Sequence, residues 1–307
     1  MDGFILTKQI ETLIQDIYSL FKDETIVDMS EERLKDFGLD LSSIIERRLS
    51  EIRDDTKNPL RMSTVGKPTC QLNFMRKFPS LSEGLGSQTK LKFLYGDILE
   101  EVLLFFVELA GHEVRGRQDE LEYEGIKGHR DAVIDGVLID VKSASSQGFY
   151  KFKNHLLAED DSFGYLPQLS IYHKASKDVD PNRAGFLVID KVTGALCLDL
   201  YSKEEFTDIY TRIKGIKDSF KREEIERCFG DEADGKSGNR KLGVVCSYCA
   251  FKDPCWSSSN EGKGLRTFIY ANSPRFLTKV EKLPNVPEKI KEEEDTNDRK
   301  NESQSEA

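Results

Sequence analysis

The chain has 307 residues, of which 38% are hydrophobic and 33% charged, and its formal net charge is −10. This composition excludes collagen-like, wholly disordered and membrane-spanning proteins, since no apolar run approaches the roughly 18 residues that a transmembrane helix needs. The N-terminal apolar stretch contains acids, unlike a secretory signal. We therefore expect a cytoplasmic protein whose six cysteines bind metal or lie buried rather than forming disulfides.

The charge is distributed unevenly along the chain. Residues 287–307 carry eight acids and four bases with few apolar residues, which predicts a disordered acidic tail. Thr56–Ser82 and Val141–Ala158 contain no acid and several bases, so they could follow a polyanion; ordinary solvated loops are the alternative. The bases are Lys57, Arg61, Lys67, Arg76 and Lys77 in the first stretch and Lys142, Lys151 and Lys153 in the second.

The first third of the chain predicts helices. Apolar residues at helical spacing indicate an N-terminal pair over Phe4–Phe21 and Glu31–Ile52, followed by an irregular segment over 54–86 that is rich in Pro, Ser, Gly and Thr. The strongest predicted helix is Lys90–Ala110, which Gly111 would end. Its predicted apolar stripe consists of Phe93, Leu94, Ile98, Val102, Phe105, Phe106 and Leu109.

Beyond Gly111 the hydrophobic period changes from about 3.6 to two, which indicates strands. Asp135-Gly136 is typical of a two-residue hairpin turn. The predicted strands are Glu113–Glu124, Arg130–Ile134, Val137–Val141, Ala184–Ile189 and Ala195–Tyr201, and the predicted helices are Phe163–Lys174 and Ser202–Cys228. This alternation indicates an α/β fold.

The predicted hairpin carries a set of charged residues. Asp131 begins one strand, and Asp140 and Lys142 end its partner. Residues 140 and 142 share a face because side chains alternate along a strand, and antiparallel pairing places Asp131 beside them. Two carboxylates can bind Mg²⁺ or Mn²⁺, and a lysine can stabilise charge on a phosphate. A surface ion pair is the alternative.

This order of residues resembles the PD-(D/E)XK nuclease superfamily and, within it, the RecB-type exonucleases. Asp131 matches the second motif of that group, and Asp140 with Lys142 matches the third. Gln168 and Tyr172 match its QxxxY motif, which lies on the following helix near DNA and the lysine. The resemblance covers about 63–256 and implies a restriction-endonuclease-like core, a mixed central sheet flanked by helices.

A third carboxylate is expected on the strong helix. Many RecB-type members have Gly-x-x-x-His there, with the His as a metal ligand, whereas this chain has Gly96 followed by Glu100. Glutamate is a competent oxygen ligand, so Glu100 is the candidate together with Asp131 and Asp140. Glu101 and Asp97 remain alternatives.

The cysteines Cys246, Cys249 and Cys255 form a C-x2-C-x5-C array, whose close spacing suits one metal centre. Cys228 would complete a local zinc site, while Cys197 lies in an apolar strand and is interpreted as core. The array also resembles the iron-sulfur branch of the RecB-type nucleases, which includes AddB-like and CRISPR-associated four-cysteine members. That resemblance implies Cys70 as fourth ligand and a 4Fe-4S cluster that staples the ends of the core.

The resulting prediction is a metal-dependent DNA exonuclease that acts on single strands or DNA ends in recombination, repair or phage DNA metabolism. The segment RMSTVGKPTCQLNF resembles phage-encoded members, for which the location would be the host cytoplasm. The alternatives are a non-catalytic DNA-binding or assembly module of the same fold and a zinc-stapled interaction protein. The predicted divisions are an N-terminal helical region over 1–55, a nuclease core with its staple over 56–260, an extension over 261–286 and the acidic tail over 287–307.

Overall fold

The computed structural model describes residues 8–22, 29–50, 60–84, 86–271 and 273–289. The chain divides into two compact units, Met1–Glu226 and Arg227–Ala307. N-terminal helices, a mixed five-stranded sheet flanked by helices and a C-terminal antiparallel sheet confirm the predicted α/β class. Among the described helices, none combines the length and apolar character needed to cross a membrane.

Seven α-helices are described in the N-terminal unit. Single 3-10 turns lie at Ile10–Thr12, Met62–Thr64, Pro79–Leu81 and Lys203–Glu205. The helices are α1 (Leu13–Ser19), α2 (Glu31–Ser50), α3 (Thr69–Lys77), α4 (Ser87–Leu109), α5 (Ser146–Lys153), α6 (Tyr165–Ala175) and α7 (Ile209–Ser219).

The strands of this unit form one sheet of five and a separate hairpin. The sheet order is β1-β4-β5-β6-β7, in which only the β5–β6 pair is parallel, and β2 pairs with β3. The strands are β1 (Val114–Arg115), β2 (Glu120–Tyr123), β3 (Ile126–His129), β4 (Ala132–Ile134), β5 (Val137–Ala144), β6 (Arg183–Asp190) and β7 (Leu196–Ser202).

Because side chains alternate along β5, one face of the strand packs in the hydrophobic core and the other carries the charged residues. Val137, Ile139 and Val141 are buried in a hydrophobic cluster with residues of α1 and α4. Asp140 and Lys142 therefore lie on the opposite face. Ring contacts from α5 and α6 to Phe186 of β6 cover that second face. Strand β5 thus extends to Ala144, beyond the predicted end at Val141, and Asp140 and Lys142 are its fourth and sixth residues.

The structure differs from the sequence predictions at three helices. The segment predicted as irregular contains α3, because Leu72 and Met75 are buried at helical spacing after Pro68; residues 54–59 lie outside the described part. The predicted helix Ser202–Cys228 is only Ile209–Ser219, which Asp208 caps. Helix α5 was not predicted, although Ser145 accepts the capping hydrogen bond from Gly148 N. Of the predicted N-terminal pair, 4–7 and 51–52 lie outside the described residues.

Other predictions hold in part. Helix α4 is confirmed, with Gly111 at φ 85° after its end, but its buried face includes Leu103, Leu104 and Val107, and Phe93 is 43% exposed. The predicted strand Glu113–Glu124 is two short strands, because Gly116 and Gln118 adopt positive φ between them. The two later strands are confirmed as β6 and β7.

The C-terminal unit contains a five-stranded antiparallel sheet of order β12-β10-β11-β9-β8. Its strands are β8 (Asp231–Ala233), β9 (Arg240–Leu242), β10 (Arg266–Tyr270), β11 (Ser273–Lys279) and β12 (Glu288–Lys289), and its short helices are α8 (Val244–Ser247), α9 (Lys252–Cys255) and α10 (Ser259–Gly262). The predicted tail is wrong at its start, since Glu288 pairs with Arg266 at 2.6 Å; residues 290–307 lie outside the described part.

Candidate functional site

The β4–β5 hairpin brings Asp131 to Asp140. Asp135 and Gly136 both have positive φ, 48° and 82°, as a type I′ turn requires, and Ile134 pairs with Val137 across it. Ala132 then pairs with Ile139, so Asp131, the residue before β4, lies beside Asp140 of β5. Its Oδ2 accepts a hydrogen bond of 2.8 Å from Val141 N.

Asp140 is the best-connected acid of the site. It is 4% exposed, its Oδ2 contacts Lys142 Nζ, and its Oδ1 accepts a hydrogen bond of 3.1 Å from Gln168 Nε2 on α6. Lys142 Nζ also lies 5.6 Å from the ring centroid of Tyr165. Strand β5 and helix α6 therefore meet at one acid and one cation.

Burial and neighbouring charges shift the pKa of Asp131 and of Lys142. Burial raises the pKa of Asp131 well above its usual range, and the neighbouring charges of Asp140 and Glu100 raise it further. Burial alone would lower the pKa of Lys142, but Asp140 and Asp131 outweigh it and raise that pKa. Lys142 therefore stays a cation in a pocket with excess negative charge.

The three candidates for a third carboxylate have different contacts. Asp97 binds Arg48 of α2 through two bonds of 2.5 and 2.6 Å, and Glu101 is 8% exposed and contacts Arg117. Glu100 instead accepts a hydrogen bond from Gln118 Nε2 at 2.8 Å. Burial, together with the charges of Asp140 and Asp97, raises its pKa to about 7, against a smaller opposing effect of Lys142. Of the three acids, Glu100 is therefore the one that interacts electrostatically with Asp140 and Lys142 of the hairpin.

Gly96 of α4 faces β5, with room for a side-chain carbon at ordinary contact distance. A Cβ added there would lie 3.6 Å from Ser143 Oγ, and Glu100 follows one turn later on the same helix face. The Gly-x-x-x-Glu spacing thus places a carboxylate beside the strand that carries Asp140.

The two α6 residues differ in access. Gln168 is partly exposed, whereas Tyr172 is 5% exposed, and a Cβ added at Gly128 would lie 2.8 Å from its hydroxyl. Burial, followed by the charges of Asp140 and Asp131, raises the pKa of Tyr172, so this hydroxyl stays protonated. Gln168 and Tyr172, four residues apart, share one face of α6, but Tyr172 points into the protein rather than toward solvent.

Sequence reasoning missed Tyr165 and Gln118. Tyr165 lies under Lys142, and Gln118 adopts a left-handed φ of 55° from which it reaches Glu100. Gly164 before Tyr165 was the available signal for a helix start, but nothing in the sequence pairs either residue with a site more than 15 positions away.

The first basic stretch is partly structural. Arg76 donates to Phe220 O at 3.0 Å, and Lys77 donates to Glu223 O at 2.9 Å, so both bind the carbonyl groups that follow α7. In the second stretch Lys151 pairs with Asp160 at 2.6 Å. Arg76 and Lys77 therefore do not form an open track for a polyanion, and Lys57 lies outside the described residues.

The cysteine array lies in the C-terminal unit, whereas Cys70 lies in α3 of the other unit. Burial, followed by the charges of Cys249, Cys255 and Cys228, raises the pKa of Cys246 to about 11. Phe251 N donates to Cys249 Sγ at 3.4 Å. Cys228 is thus within electrostatic reach of the array.

Three aromatic side chains near the cysteine array in sequence differ in burial. Trp256 is 4% exposed and packs in a small core against which Cys246 and Cys255 lie, and Phe251 is 2% exposed. Tyr248 is 77% exposed and does not shield the thiols in this way. Cys197, interpreted as core, is half-buried in β7.

Within the described parts of the chain, no group of three or more His, Cys, Asp or Glu side chains is arranged to hold a metal ion as it stands. No protein-family model matches the sequence, and no curated protein matches it. One solved structure with some likeness is described as "Crystal structure of SSO0001", with 16% identity, coverage of 70% of this chain and 93% of that chain, and a TM-score of 0.38. This likeness is too distant to carry an argument.

A second charged cluster lies on β7. His155, at a left-handed φ of 55°, contacts Asp199 at 2.6 Å through Nδ1 and Glu205 at 2.7 Å through Nε2. Its ring stacks on Tyr201 at 4.2 Å, and the Tyr201 hydroxyl donates to Asp199. Although burial opposes it, the two carboxylates raise the pKa of His155. Hydrogen bonds from His155 and from Ser202 together lower the pKa of Glu205 to about 2.

Replacing His155 by Asn, which tolerates the left-handed backbone, is expected to lower the free energy of unfolding by about 2 kcal/mol near pH 6. The stabilisation that comes from protonated His155 is fully present below the ordinary pKa of 6.5 and is lost as the pH rises through the raised pKa. The stabilisation that comes from ionised Glu205 is fully present above pH 4.5 and is lost as the pH falls toward 2. Urea unfolding from pH 3 to 9 should show the largest difference between 4.5 and 6.5. A difference that does not vary with pH would contradict the ion-pair account.

Proposed function

We propose that this chain is a metal-dependent phosphodiesterase of the PD-(D/E)XK type that hydrolyses DNA. The observation that carries the proposal is the contact between Asp140 and Lys142 in β5, beside Asp131, whose pKa is raised by burial and by the charges of Asp140 and Glu100. Titratable groups whose pKa values are shifted by burial and by specific charged neighbours cluster at catalytic sites. The restriction-endonuclease-like core is the corresponding fold proposal.

The donor set fits a hard divalent cation. Asp131, Asp140 and Glu100 offer carboxylate oxygens in a partly desolvated pocket, and one lysine leaves negative charge uncompensated. These three residues would hold Mg²⁺ or Mn²⁺. When bound, such an ion polarises a phosphodiester and activates water.

The side chains of the protein would do the remaining work. Lys142, held as a cation by its neighbours, would stabilise negative charge on the phosphate rather than act as a base. Gln168 would orient Asp140 through their hydrogen bond. Buried Tyr172, which stays protonated, would position these groups from behind rather than contact the substrate.

Circular and linear DNA would test the activity. We expect Mg²⁺- or Mn²⁺-dependent loss of an end-labelled linear strand while a closed circle survives, because the resemblance implies a nuclease that requires an end. Binding without hydrolysis in either metal would favour the non-catalytic DNA-binding module. Hydrolysis in excess EDTA would contradict the metal-dependent proposal.

The third carboxylate can be tested by a matched pair of adjacent acids. Glu100→Gln should lower hydrolysis at limiting Mg²⁺ by at least about tenfold. It should also raise the unfolding temperature in metal-free buffer at pH 8, because an acid whose pKa is raised to about 7 destabilises the fold once ionised. Glu101→Gln should instead cost about 2 kcal/mol of stability, since its Arg117 partner is left underpaired. A loss of hydrolysis only in Glu101→Gln would reverse the assignment.

For the thiols we propose a structural metal centre on Cys246, Cys249 and Cys255. The resemblance favours Cys70 as fourth ligand and a 4Fe-4S cluster; the charge interaction of Cys228 with Cys246 supports the zinc alternative. The hydrogen bond from Phe251 N to Cys249 Sγ suits a thiolate.

Anaerobic purification of Cys70→Ser and Cys228→Ser beside the parent chain distinguishes the two ligand sets. Loss of a broad visible absorbance and of bound iron in Cys70→Ser alone would support the cluster. Loss of zinc in Cys228→Ser alone, with a colourless parent chain, would support the local zinc site. Metal content unchanged by Cys246→Ser would refute both.

A further inference from the structure

A cavity of about 450 Å³ lies between the C-terminal half of α6 and the start of α7. Tyr123 of β2 and the segment 176–181 after α6 complete its walls, and all the residues that line it belong to the N-terminal unit. Neither Lys142 nor any of the three proposed metal ligands lines this α6–α7 cavity. It is therefore a candidate site separate from the acids of the hairpin.

Contacts within the protein hold the walls of the cavity in place. Thr207 N donates to Ser170 Oγ at 2.9 Å, which joins the segment before α7 to α6. His173 Nε2 donates to Asp180 O at 2.9 Å, and the His173 ring packs on Phe206 with 4.7 Å between centroids. Because the walls are already fixed, a ligand would need to order little of the protein on binding.

The lining of the cavity carries more positive than negative charge. Lys174, Lys177 and Lys203 line it with exposed side chains, and none of the three forms an ion pair within the part of the chain that the structure describes. Of the described residues that line the cavity, Asp208 alone is an acid. Asp208 caps α7 by accepting hydrogen bonds from Thr211 N at 3.2 Å and from Thr211 Oγ1 at 2.6 Å.

The acids of the loop after α6 are bound to arginines. Asp178 pairs with Arg130 at 2.7 Å, and Asp180 pairs with Arg183 at 2.9 Å. These pairs occupy the carboxylates that follow Lys177 in sequence. The ammonium groups of the cavity are thus left for an anion, and phosphate oxygens are strong acceptors for such donors.

Aromatic and apolar side chains also line the cavity. Tyr123 and Phe206 are half-buried, Tyr210 is 62% exposed, and Ile209 is 5% exposed. A flat ring placed against such side chains removes apolar surface from water. Lysines beside aromatic rings in one concave site suit a ligand that carries both a phosphate and a flat heterocycle.

We propose that the α6–α7 cavity binds a nucleoside phosphate. Lys174, Lys177 and Lys203 hold the phosphate, and the base packs on Tyr123 and Tyr210. The cavity volume lies within the range of roughly 300–1,000 Å³ that is usual for small-molecule sites. A free nucleotide and a nucleotide at the end of a strand present the same groups, and the site does not depend on the proposed nuclease function.

Calorimetric titration of ADP into the full-length chain in EDTA tests the proposal. Lys177→Met and Lys203→Met should each raise the Kd for ADP by at least about tenfold, the effect of losing one charged contact with phosphate. Tyr210→Ala should raise it by at least about fivefold, because stacking on a base is lost. Lys214→Met is the matched control: Lys214 is exposed on α7 but does not line the cavity, so the Kd should stay within about twofold.

Fragments of ADP separate recognition of a nucleotide from general attraction of anions. Adenosine and pyrophosphate should each bind at least about tenfold more weakly than ADP, because each lacks one of the two recognised groups. Absence of ADP binding would overturn the proposal. So would a Kd that neither Lys177→Met nor Lys203→Met changes, or pyrophosphate that binds as tightly as ADP.

Competition by single-stranded oligo-dT, also in EDTA, identifies the source of the nucleotide. Displacement of ADP by oligo-dT that Lys203→Met weakens would place a strand end in the cavity, whereas undisturbed ADP binding would identify a free nucleotide. ADP binding by a chain that hydrolyses no DNA would support the cavity while refuting the nuclease. DNA hydrolysis by a chain that binds no ADP would refute the cavity alone.

Discussion

Asp140→Asn is expected to lower metal-dependent DNA hydrolysis by about 1,000-fold, the effect of removing one group that stabilises developing charge or its metal. Asp140 contacts Lys142 and Gln168 and lies beside Asp131, so the amide removes charge while keeping shape. Lys142→Met should have an effect of similar size. The measurement is the initial rate on end-labelled linear DNA at saturating Mg²⁺, with folding checked by thermal unfolding.

Asp199→Asn is the matched control for Asp140. Asp199 is also 4% exposed, and the register Asp140–Phe186–Asp199 places it two strands away on the same face. It should lose stability through its contacts with His155 and Tyr201 but keep its rate per folded molecule within about threefold. Lys127→Met, which breaks an exposed pair with Glu120, is the control for Lys142. Rates that fall equally in variants and controls would contradict the assignment.

Gly164→Ala is expected to lower the free energy of unfolding of the N-terminal unit by about 3 kcal/mol, or about 10 °C in unfolding temperature. The new Cβ would meet Gly66 C at 2.5 Å, and both contacting groups are backbone, which cannot rotate away. The residue would also keep a φ of 75°, which a side chain disfavours. Because Gly164 precedes α6, hydrolysis should fall as Gln168 moves.

Gly194→Ala separates strain from overlap. Gly194 has φ 74°, and nothing lies within 4 Å of a Cβ added there. Gly194→Ala should therefore lower the free energy of unfolding only by the cost of a left-handed backbone at alanine, about 1 kcal/mol, or the unfolding temperature by about 3 °C. Gly66→Ala, whose φ needs no glycine, should show the overlap alone. Equal losses at Gly164 and Gly194 would show that the close approach of the two turns contributes nothing.

The hairpin is the part of the site that the sequence predicted best. Asp135-Gly136 fixes a two-residue loop, and a two-residue loop fixes the register. The alternation of side chains then places Asp140 and Lys142 on one face without any further information. Short-range rules thus suffice wherever the interacting residues are joined by a tight turn.

Helix boundaries and the third acid were predicted less well. Asp97, Glu100 and Glu101 are near neighbours on α4, and the sequence cannot say which faces β5. The structure distinguishes them because Arg48 binds Asp97 and Arg117 binds Glu101. These partners come from segments distant in sequence, so only packing could pair them.

By itself, the sequence determined the α/β class, the main helix, the β4–β5 turn and the pairing of an acid with a lysine, because each follows from local periodicity or from a turn that allows one register. Tertiary structure alone decided that Tyr172 is buried, that Tyr165 lies under Lys142, that Arg76 and Lys77 bind carbonyl groups, and that His155 lies between two carboxylates. Such contacts depend on which segments pack together, and their energies arise only when burial removes water from both partners.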